Sequence, residues 1–342
     1  MSAPVVHATW FHADSSALQG EYSQTLGDST SKSHFAIYFS CVHLFFATHV
    51  RQSRKEFRKF FVNHYGYEVM PKELKNKLEA WDVEIITLSN QHSGLASSQK
   101  LWLNQYFVLD IFSYQSNLNQ EFHLFDSDII SMNSNAIEWE EGSQLKLLLN
   151  STNPNEKING LYVYELINLW NSFNDRNESD FIPYYGGEYI GIKPNEFKSF
   201  VDKIESYFRK NLELSENSKI FAQEEAHLIS LTSKDFSVDS QTHSLVERIW
   251  TQPWTYRYIP KYFANLSFLH VPAEKKTGLA RLSKIADDPN SWFWIASDVV
   301  WQRKVGKLLG IPHYLPKKYV QDFSLLRKGF FRHVKGRILN DN

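Results

Sequence analysis

Apolar runs rich in β-branched and aromatic residues alternate along this chain with segments of helical periodicity. Such alternation is typical of α/β proteins, in which helices cover the faces of a sheet. The 342 residues are 42% hydrophobic and 22% charged, a balance that allows a large core and excludes a disordered or collagenous chain. We therefore predict an α/β fold. Strands are predicted at residues 35–41, 83–89 and 121–132, and helices at residues 51–65, 100–115 and 194–214.

The most apolar window, residues 35–50, is too short for a membrane-spanning helix, which needs roughly 20 apolar residues. We interpret it as a buried strand that runs into a helix. The first residues lack the basic and apolar regions of a signal peptide. A single cysteine, Cys41, excludes an internal disulfide framework. Together these features favour a reducing, cytoplasmic location.

The run VVHATWF, residues 5–11, is compatible with an edge strand.

Two acidic residues, Asp126 and Asp128, directly follow the apolar run EFHLF. Open α/β sheets bind ligands at the carboxyl ends of their strands, so this predicted strand would present both carboxylates to a ligand. Carboxylates one residue apart reach one divalent cation, and oxygen ligands suit Mg²⁺ or Mn²⁺. A metal ion held in this way can bind a diphosphate. The alternative is a loop in which the two acids bind nothing.

An adjacent glycine pair, Gly186 and Gly187, precedes Glu188 in the segment YYGGEYIG. Glycine allows a backbone geometry or a close approach that a Cβ atom would block. We predict a substrate-binding segment in which Glu188 accepts hydrogen bonds from sugar hydroxyls. A plain turn between two strands is the alternative.

A pair of glutamates, Glu224 and Glu225, stands at the start of an apolar helical run. One acid of such a pair can bind a substrate hydroxyl while the other acts at the reacting centre, so both are candidate catalytic residues. A helix N-terminus also favours carboxylates without any catalytic role.

A histidine and two lysines follow the apolar run LSFL near residue 270. His270 stands two residues before Pro272, where a strand is expected to end, and Lys275 and Lys276 are expected on the loop beyond it. An imidazole can complete a metal site begun by carboxylates, and a lysine can neutralise a leaving phosphate. A structural role for His270 at a strand end is the alternative.

In chain order, these segments resemble the nucleotide-diphospho-sugar glycosyltransferases of the GT-A fold. FHLFDSDI is similar to the Asp-x-Asp segment of that superfamily, and YYGGEYIG is similar to its glycine-containing sugar and acceptor segment. QEEAHL resembles the helix start Asp-Glu-Ser-His-Leu of the retaining blood-group-type enzymes, and this match adds His227 as a substrate-binding residue. The chain departs from that pattern with Ala226 and Ile229, where the family has Ser and Asn.

The resemblance implies a GT-A type, Rossmann-like mixed sheet flanked by helices, in a catalytic domain at residues 35–282. Residues 35–132 would bind the nucleotide and residues 133–282 the acceptor. An N-terminal strand and loop segment (1–34) and a basic helical C-terminal extension (283–342) would flank this domain.

The activity implied is that of a metal-dependent hexosyltransferase. It would move a sugar from a nucleotide-sugar donor to a glycan or glycolipid acceptor, such as a bacterial lipopolysaccharide or capsule chain. Mn²⁺ or Mg²⁺ would bind Asp126, Asp128 and His270, and Lys275 or Lys276 would contact the diphosphate. Glu225 is a candidate nucleophile or cation stabiliser in a retaining reaction, and a candidate base in an inverting one.

Two other functional classes fit parts of the sequence. A metal-dependent phosphohydrolase could use the same Asp-x-Asp pair, although such enzymes recruit more carboxylates or histidines around their metals. A non-catalytic carbohydrate-binding protein could stack sugars on tryptophans, although core packing is the commoner role of that side chain. The candidate tryptophans are Trp250, Trp254, Trp292, Trp294 and Trp301.

The last part of the chain is strongly basic. Residues 300–342 contain ten lysines and arginines against two aspartates, a net charge of +8 in a chain whose total is −1. Residues 323–338 interleave these cations with apolar side chains, as expected of a segment that contacts an anionic membrane face. No nucleic-acid-binding motif accompanies the basic residues, so we predict a membrane contact and no nucleic-acid partner.

Overall fold

Six strands form a central mixed sheet, and apolar clusters cover both of its faces. The structure, a computed structural model, describes residues 3–14, 29–95, 103–218, 220–251 and 265–311. Its strands are β1 (Val5–Phe11), β2 (Phe57–Asn63), β3 (Val83–Leu88), β4 (Glu121–Phe125), β5 (Ile129–Ser131), β6 (Leu145–Ser151), β7 (Lys157–Ile158), β8 (Leu161–Tyr162), β9 (Tyr184–Ile192), β10 (Val246–Arg248) and β11 (Phe268–His270).

Helices pack on both sides of this sheet. One apolar cluster joins the sheet to α5–α8, and a second joins it to α1 and α3. The helices are α1 (Lys32–Arg51), α2 (His64–Val69), α3 (Lys72–Ala80), α4 (Gln91–Leu95), α5 (Phe107–Gln115), α6 (Glu165–Asn174), α7 (Pro194–Asn217), α8 (Glu225–Ser233), α9 (Thr242–Leu245), α10 (Ala280–Ala286), α11 (Trp292–Ile295) and α12 (Asp298–Leu308).

The strand order of the central sheet is β3-β2-β1-β4-β9-β6. Strands β1 to β4 pair in parallel, and β9 runs antiparallel to its neighbours β4 and β6. The chain proceeds from β1 to β3 on one side and then crosses to β4 on the other, so the order reverses between β1 and β4. Ligands of open α/β sheets bind at such a reversal, beyond the carboxyl ends of the strands. Asp126 follows β4 at this place.

The apolar window at residues 35–50 is helical, so the strand predicted at residues 35–41 is wrong. Helix α1 begins after Ser31, whose side chain accepts a hydrogen bond from the backbone N–H of His34 at 3.2 Å, as N-cap residues do. Every side chain from Cys41 to His49 is buried, because α1 packs against β1, β5 and α10. A helix buried all round has no polar face, and its sequence therefore lacks helical periodicity.

Strand β2 occupies residues 57–63 of the helix predicted over residues 51–65, so that prediction is also wrong. The basic side chains of this strand are hydrogen-bonded within the fold instead of lining an exposed helix face. Arg58 donates to the backbone carbonyl of Trp81 at 3.0 Å, and the buried Lys59 donates to the side chain of Gln115 at 3.2 Å. Both cations are therefore held by hydrogen bonds to other parts of the fold.

Strand β1 lies in the middle of the sheet, so the expectation of an edge strand at residues 5–11 is wrong. It pairs along its length with β2 on one side and β4 on the other. Both partners belong to the predicted domain at residues 35–282. The predicted boundary at residue 35 therefore does not divide the fold.

Several predicted elements are confirmed. Strands β3 and β4 cover the runs predicted at residues 83–89 and at the start of 121–132, and α7 covers residues 194–214. Helix α5 forms the second half of the predicted helix 100–115, whose first residues, up to 102, lie outside the described residues.

The last described helices pack against the rest of the molecule. Phe293 and Trp301 are fully buried in a cluster that also contains Leu44 of α1 and Ile130 of β5. The first part of the predicted extension 283–342 is thus helical and belongs to the core. Within the part of the chain that the structure describes, no helix combines the length and apolar character needed to cross a membrane.

A buried ion cluster centred on His92 links helices α4, α5 and α7. Its Nδ1 lies 2.8 Å from Asp110 Oδ1 and its Nε2 lies 2.8 Å from Glu205 Oε1. Burial disfavours the charged imidazole, but hydrogen bonds to both carboxylates outweigh it and raise the pKa of His92 to about 9.

We expect the His92 cluster to lose its stabilising effect in mild alkali. A folded-state pKa above the unfolded value contributes stability that is present below pH 6.5 and is lost as the pH rises through 9. The free energy of unfolding, measured in urea, should therefore fall by on the order of 3 kcal/mol more in the parent than in His92→Gln over this range. Parallel pH profiles for the two proteins would contradict this prediction.

Candidate active site

A cavity of about 310 Å³ opens where β4 ends and brings together side chains from distant parts of the chain. Seven of the sequence-predicted site residues line it: Asp126, Gly187, Glu188, Glu224, Glu225, His270 and Lys275. The other lining residues are Tyr38, Gln105, Asn150, Glu156, Ile158, Asn159, Tyr184, Ala226, Arg248 and Trp250.

Asp126, Asp128 and His270 form a cluster that could hold one metal ion. The two aspartates lie between β4 and β5, and His270 ends β11, which pairs with β5. His270 Nε2 lies 3.2 Å from Asp128 Oδ1 and 3.7 Å from Asp126 Oδ2. One ligand atom from each residue falls within 4.8 Å of the others. Carboxylate oxygens suit Mg²⁺ and Mn²⁺, and an imidazole can join them.

The fully buried carboxylate of Asp128 is ion-paired with Lys275 at 3.1 Å. Burial opposes ionisation of Asp128, but Lys275 and His270 outweigh it and hold the pKa of this carboxyl well below its usual range. Burial also disfavours the charged form of Lys275. The charge of Asp128 outweighs this effect and raises the pKa of Lys275 above its ordinary value. Both groups are therefore ionised at neutral pH.

The two predicted lysines have different positions. They lie in a single turn of helix, Lys275–Leu279, and not on the loop that the sequence suggested. Lys275 is buried at the cavity, whereas Lys276 is exposed and does not line it. Of the pair, only Lys275 is placed to contact a ligand in this cavity.

The glycine pair lies within strand β9 and does not form a turn between strands. Leu147 of β6 pairs with Ile190, whereas the next residue of β6 pairs with Gly186, so the intervening residues of β9 bulge out of the register. Bulges of this kind redirect side chains beside active sites. The carbonyl of Glu188, in the bulge, accepts a 2.8 Å hydrogen bond from the backbone N–H of Asp126. The bulge is thereby joined to the metal-binding segment.

Both glycines make room for carboxylates. A Cβ atom on Gly187 would lie 2.2 Å from Glu225 Oε1, and one on Gly186 would lie 1.7 Å from Glu188 Oε2. Real Cβ contacts do not come this close, so a larger residue at either position would displace a carboxylate. Gly186 is buried and does not line the cavity, in contrast to its predicted substrate-binding role.

The adjacent glutamates differ in their surroundings. Glu224 accepts hydrogen bonds from the Tyr184 hydroxyl at 2.5 Å and from Asn159 Nδ2 at 2.7 Å. Burial raises the pKa of Glu224 to about 7 against the effect of these two donors. Glu225 is 4% exposed, and its Oε2 has no hydrogen-bond partner among the described residues. Burial, and then the neighbouring charge of Glu224, raise the pKa of Glu225 well above its ordinary value.

His227 does not line the cavity, in contrast to its predicted substrate-binding role. Its Nε2 lies 3.2 Å from the carbonyl of Ile158, and its Nδ1 accepts a 3.3 Å hydrogen bond from the backbone N–H of Gln223. Burial lowers the pKa of His227 to about 4. The neutral ring therefore supports Ile158 at the end of β7, next to the cavity residue Asn159 in the following turn.

Arg248 is the main cavity residue that sequence reasoning missed. It is the register partner of His270 in the small sheet β10-β11-β5, and it forms an ion pair with Glu188. The segment VER around it is too short to predict as a strand, and only the pairing with β11 brings it to the cavity. Tyr184 and Asn159 were also missed, because only tertiary packing brings them within hydrogen-bonding distance of Glu224.

No protein-family model matches this sequence, and a search of curated proteins finds none similar to it.

We expect Glu224→Gln to stabilise the protein at alkaline pH. A raised folded-state pKa means that the stability present below pH 4.5 is lost as the pH rises through about 7. Glutamine keeps the size of the side chain and can satisfy both Tyr184 and Asn159. Between pH 5 and pH 8, in the presence of a chelator, the free energy of unfolding should fall less in the variant than in the parent, by on the order of 2 kcal/mol. An equal or larger fall in Glu224→Gln would refute this.

Proposed function

We propose that the protein is a metal-dependent glycosyltransferase of GT-A type that transfers a sugar from a nucleotide-diphosphate sugar to a hydroxyl of a glycan acceptor. The proposal rests on one observation: Asp126 and His270 of the Asp126, Asp128 and His270 cluster line the same cavity as Lys275 and Glu225. These groups are what transfer from a diphosphate requires. The cavity also lies at the point where the strand order reverses, which favours ligand binding there.

Charge neutralisation is the first requirement of this reaction, because the departing diphosphate carries growing negative charge. A divalent cation bound by the cluster would neutralise part of that charge. Lys275 would add a fixed positive charge beside it, held in place by Asp128. Because this ion pair is buried, the lysine does not need to be ordered when the donor binds.

A group that acts at the sugar or at the acceptor hydroxyl is the second requirement, and Glu225 fits it better than Glu224. Both oxygens of Glu224 are hydrogen-bonded to Tyr184 and Asn159, whereas Oε2 of Glu225 has no partner among the described residues. We infer that the ionised form of Glu225 acts as nucleophile or cation stabiliser in a retaining route, or as base in an inverting one. Glu224 would position the start of α8.

The surroundings of the cavity favour this proposal over the two other classes. Within the described residues, Asp126, Asp128 and His270 are the only group of three or more potential metal ligands, fewer than phosphohydrolases usually gather. Of the described tryptophans that could stack on sugars, Trp301 is fully buried and only Trp250 lines the cavity. Trp292 and Trp294 pack against a core cluster, and Trp254 lies outside the described residues.

The glycolipid acceptor and the membrane contact stay predictions. They depend on the basic segment at residues 323–338, which lies outside the described residues. A parallel-rich sheet with acids at the end of a central strand is compatible with the GT-A arrangement that the sequence resemblance implies.

We expect Asp126→Asn to weaken Mn²⁺-dependent binding of a nucleoside diphosphate. The side chain of Asp126 is partly exposed and does not pair with Lys275, so its loss should remove a metal ligand without orphaning the buried lysine. Titration calorimetry with UDP and GDP should show affinity at least about tenfold weaker than in the parent, since a contact with a charged group is worth more than about 1.4 kcal/mol.

The matched control is Asp202→Asn, which removes an exposed carboxylate from α7, outside the cavity. It should bind like the parent. Unchanged affinity in Asp126→Asn, with Mn²⁺ present, would defeat the metal-binding role.

Glu225 is expected to contribute to turnover more than to donor binding. With a donor found by screening nucleotide sugars for Mn²⁺-dependent hydrolysis, Glu225→Gln should lower kcat by about 100-fold or more, the usual contribution of acid–base or nucleophilic groups. Gly187→Ala should also lower kcat, because its methyl group would displace the Glu225 carboxylate. Nucleoside diphosphate affinity should change little in either variant.

Gly94→Ala is the control for the glycine substitution, since a Cβ atom at that helical position would meet nothing within 4 Å. A kcat within about threefold of the parent in Glu225→Gln would mean that less than roughly 1 kcal/mol of transition-state stabilisation is involved. That result would exclude Glu225 as the reacting group.

A further inference from the structure

Two charged side chains of opposite sign, Glu188 and Arg248, face each other in the cavity and form an ion pair. Glu188 belongs to the β9 bulge and its side chain is 5% exposed, whereas the Arg248 side chain is 23% exposed. Arg248 thus retains some access to solvent while its partner is almost fully enclosed. The sequence alone suggested that Glu188 binds sugar hydroxyls. In this structure its carboxylate forms an ion pair with the Arg248 guanidinium instead.

Arg248 lies close to where a metal-bound anion would be. It is the register partner of His270 across the β10–β11 pair, and both side chains line the cavity. His270 belongs to the candidate metal cluster. A planar guanidinium presents two parallel N–H groups that match the oxygens of a phosphate as well as those of a carboxylate.

Glu188 has a second partner that could hold it if Arg248 turned away. Asn150 Nδ2 lies 3.3 Å from both of its carboxylate oxygens. Gly186 provides the room for this arrangement, because a Cβ atom there would overlap both Glu188 Oε2 and Asn150 Nδ2. Such a partner matters because a buried carboxylate left without one is strongly destabilising.

We propose that Glu188 is a built-in competitor for the phosphate groups of the ligand, and that Arg248 exchanges the Glu188 carboxylate for a diphosphate oxygen when the donor binds. This inference rests on the proposed function and adds to it a second phosphate-binding cation besides Lys275. In the ligand-free protein the ion pair holds Arg248 in place and compensates its charge. Asn150 retains Glu188 after the exchange.

If Glu188 competes with the ligand for Arg248, replacing Glu188 should strengthen pyrophosphate binding. Glu188→Gln removes the competing negative charge and keeps an amide that can still contact Asn150. Inorganic pyrophosphate, titrated calorimetrically with Mn²⁺ present, should therefore bind about tenfold more tightly to Glu188→Gln and about tenfold more weakly to Arg248→Gln. If Glu188 instead orients Arg248 for the phosphate, Glu188→Gln would bind pyrophosphate more weakly. Weaker or unchanged binding in this variant overturns the proposal.

The double variant Glu188→Gln/Arg248→Gln separates competition from a folding defect. Arg248→Gln leaves Glu188 buried without its cation, whereas the double variant carries no charge at either position. The double variant should bind pyrophosphate about as weakly as Arg248→Gln. Removing the Glu188 charge has no effect on a competition for Arg248 when Arg248 is absent. Tightening by Glu188→Gln in the Arg248→Gln background would contradict the proposal.

Two further results distinguish this inference from the proposed function. If pyrophosphate binds the parent in a Mn²⁺-dependent way that Asp126→Asn weakens, and Glu188→Gln does not tighten it, the exchange is wrong and the glycosyltransferase proposal stands. If the parent binds no pyrophosphate at any Mn²⁺ concentration, both are overturned.

Discussion

The buried ion pair between Asp128 and Lys275 connects the parts of the molecule that build the cavity. Asp128 follows the central strand β4, whereas Lys275 begins a helical turn nearly 150 residues later. Burial disfavours both charges, and each stabilises the other in its ionised form. Removing either partner would leave an uncompensated charge in the interior, which is far more destabilising than the pair itself is stabilising. This constraint fixes the small sheet and its His270 against the end of the central sheet.

The bulge in β9 is the second device that shapes the site. It interrupts pairing with β6 while the β4 side remains in register, with Phe125 opposite Tyr189. The consequence is that Glu188 and Gly187 turn toward the cavity beside Asp126. Because Gly187 has no side chain, the Glu225 carboxylate approaches the strand from the opposite helix. The Glu188 and Glu225 carboxylates can occupy these positions only because Gly186 and Gly187 have no Cβ atoms.

The sequence predicted the acids at the end of β4 and the glutamates at the start of α8 because both follow from short local patterns. It failed at residues 35–41, where burial on all sides of α1 removed the helical periodicity. It also failed at residues 51–65, where the basic residues of β2 interrupt the alternation of a strand and leave the apolar residues at helical spacing. It also missed Arg248, Tyr184 and Asn159. These side chains reach the cavity only through strand register and tertiary packing, which no local pattern encodes.

The charge balance of the cavity indicates the order in which its ligands would bind. Among the described residues, two cations, Arg248 and Lys275, face a larger group of lining acids: Asp126, Glu156, Glu188, Glu224 and Glu225. Burial, and then the charges of Glu224 and Asp126, raise the pKa of Glu225, so the neighbouring acids add to the cost of a further negative charge there. A diphosphate alone would meet net repulsion at short range in a poorly solvated site. A divalent cation would reverse that sign, so the geometry favours entry of the metal before, or together with, the anion.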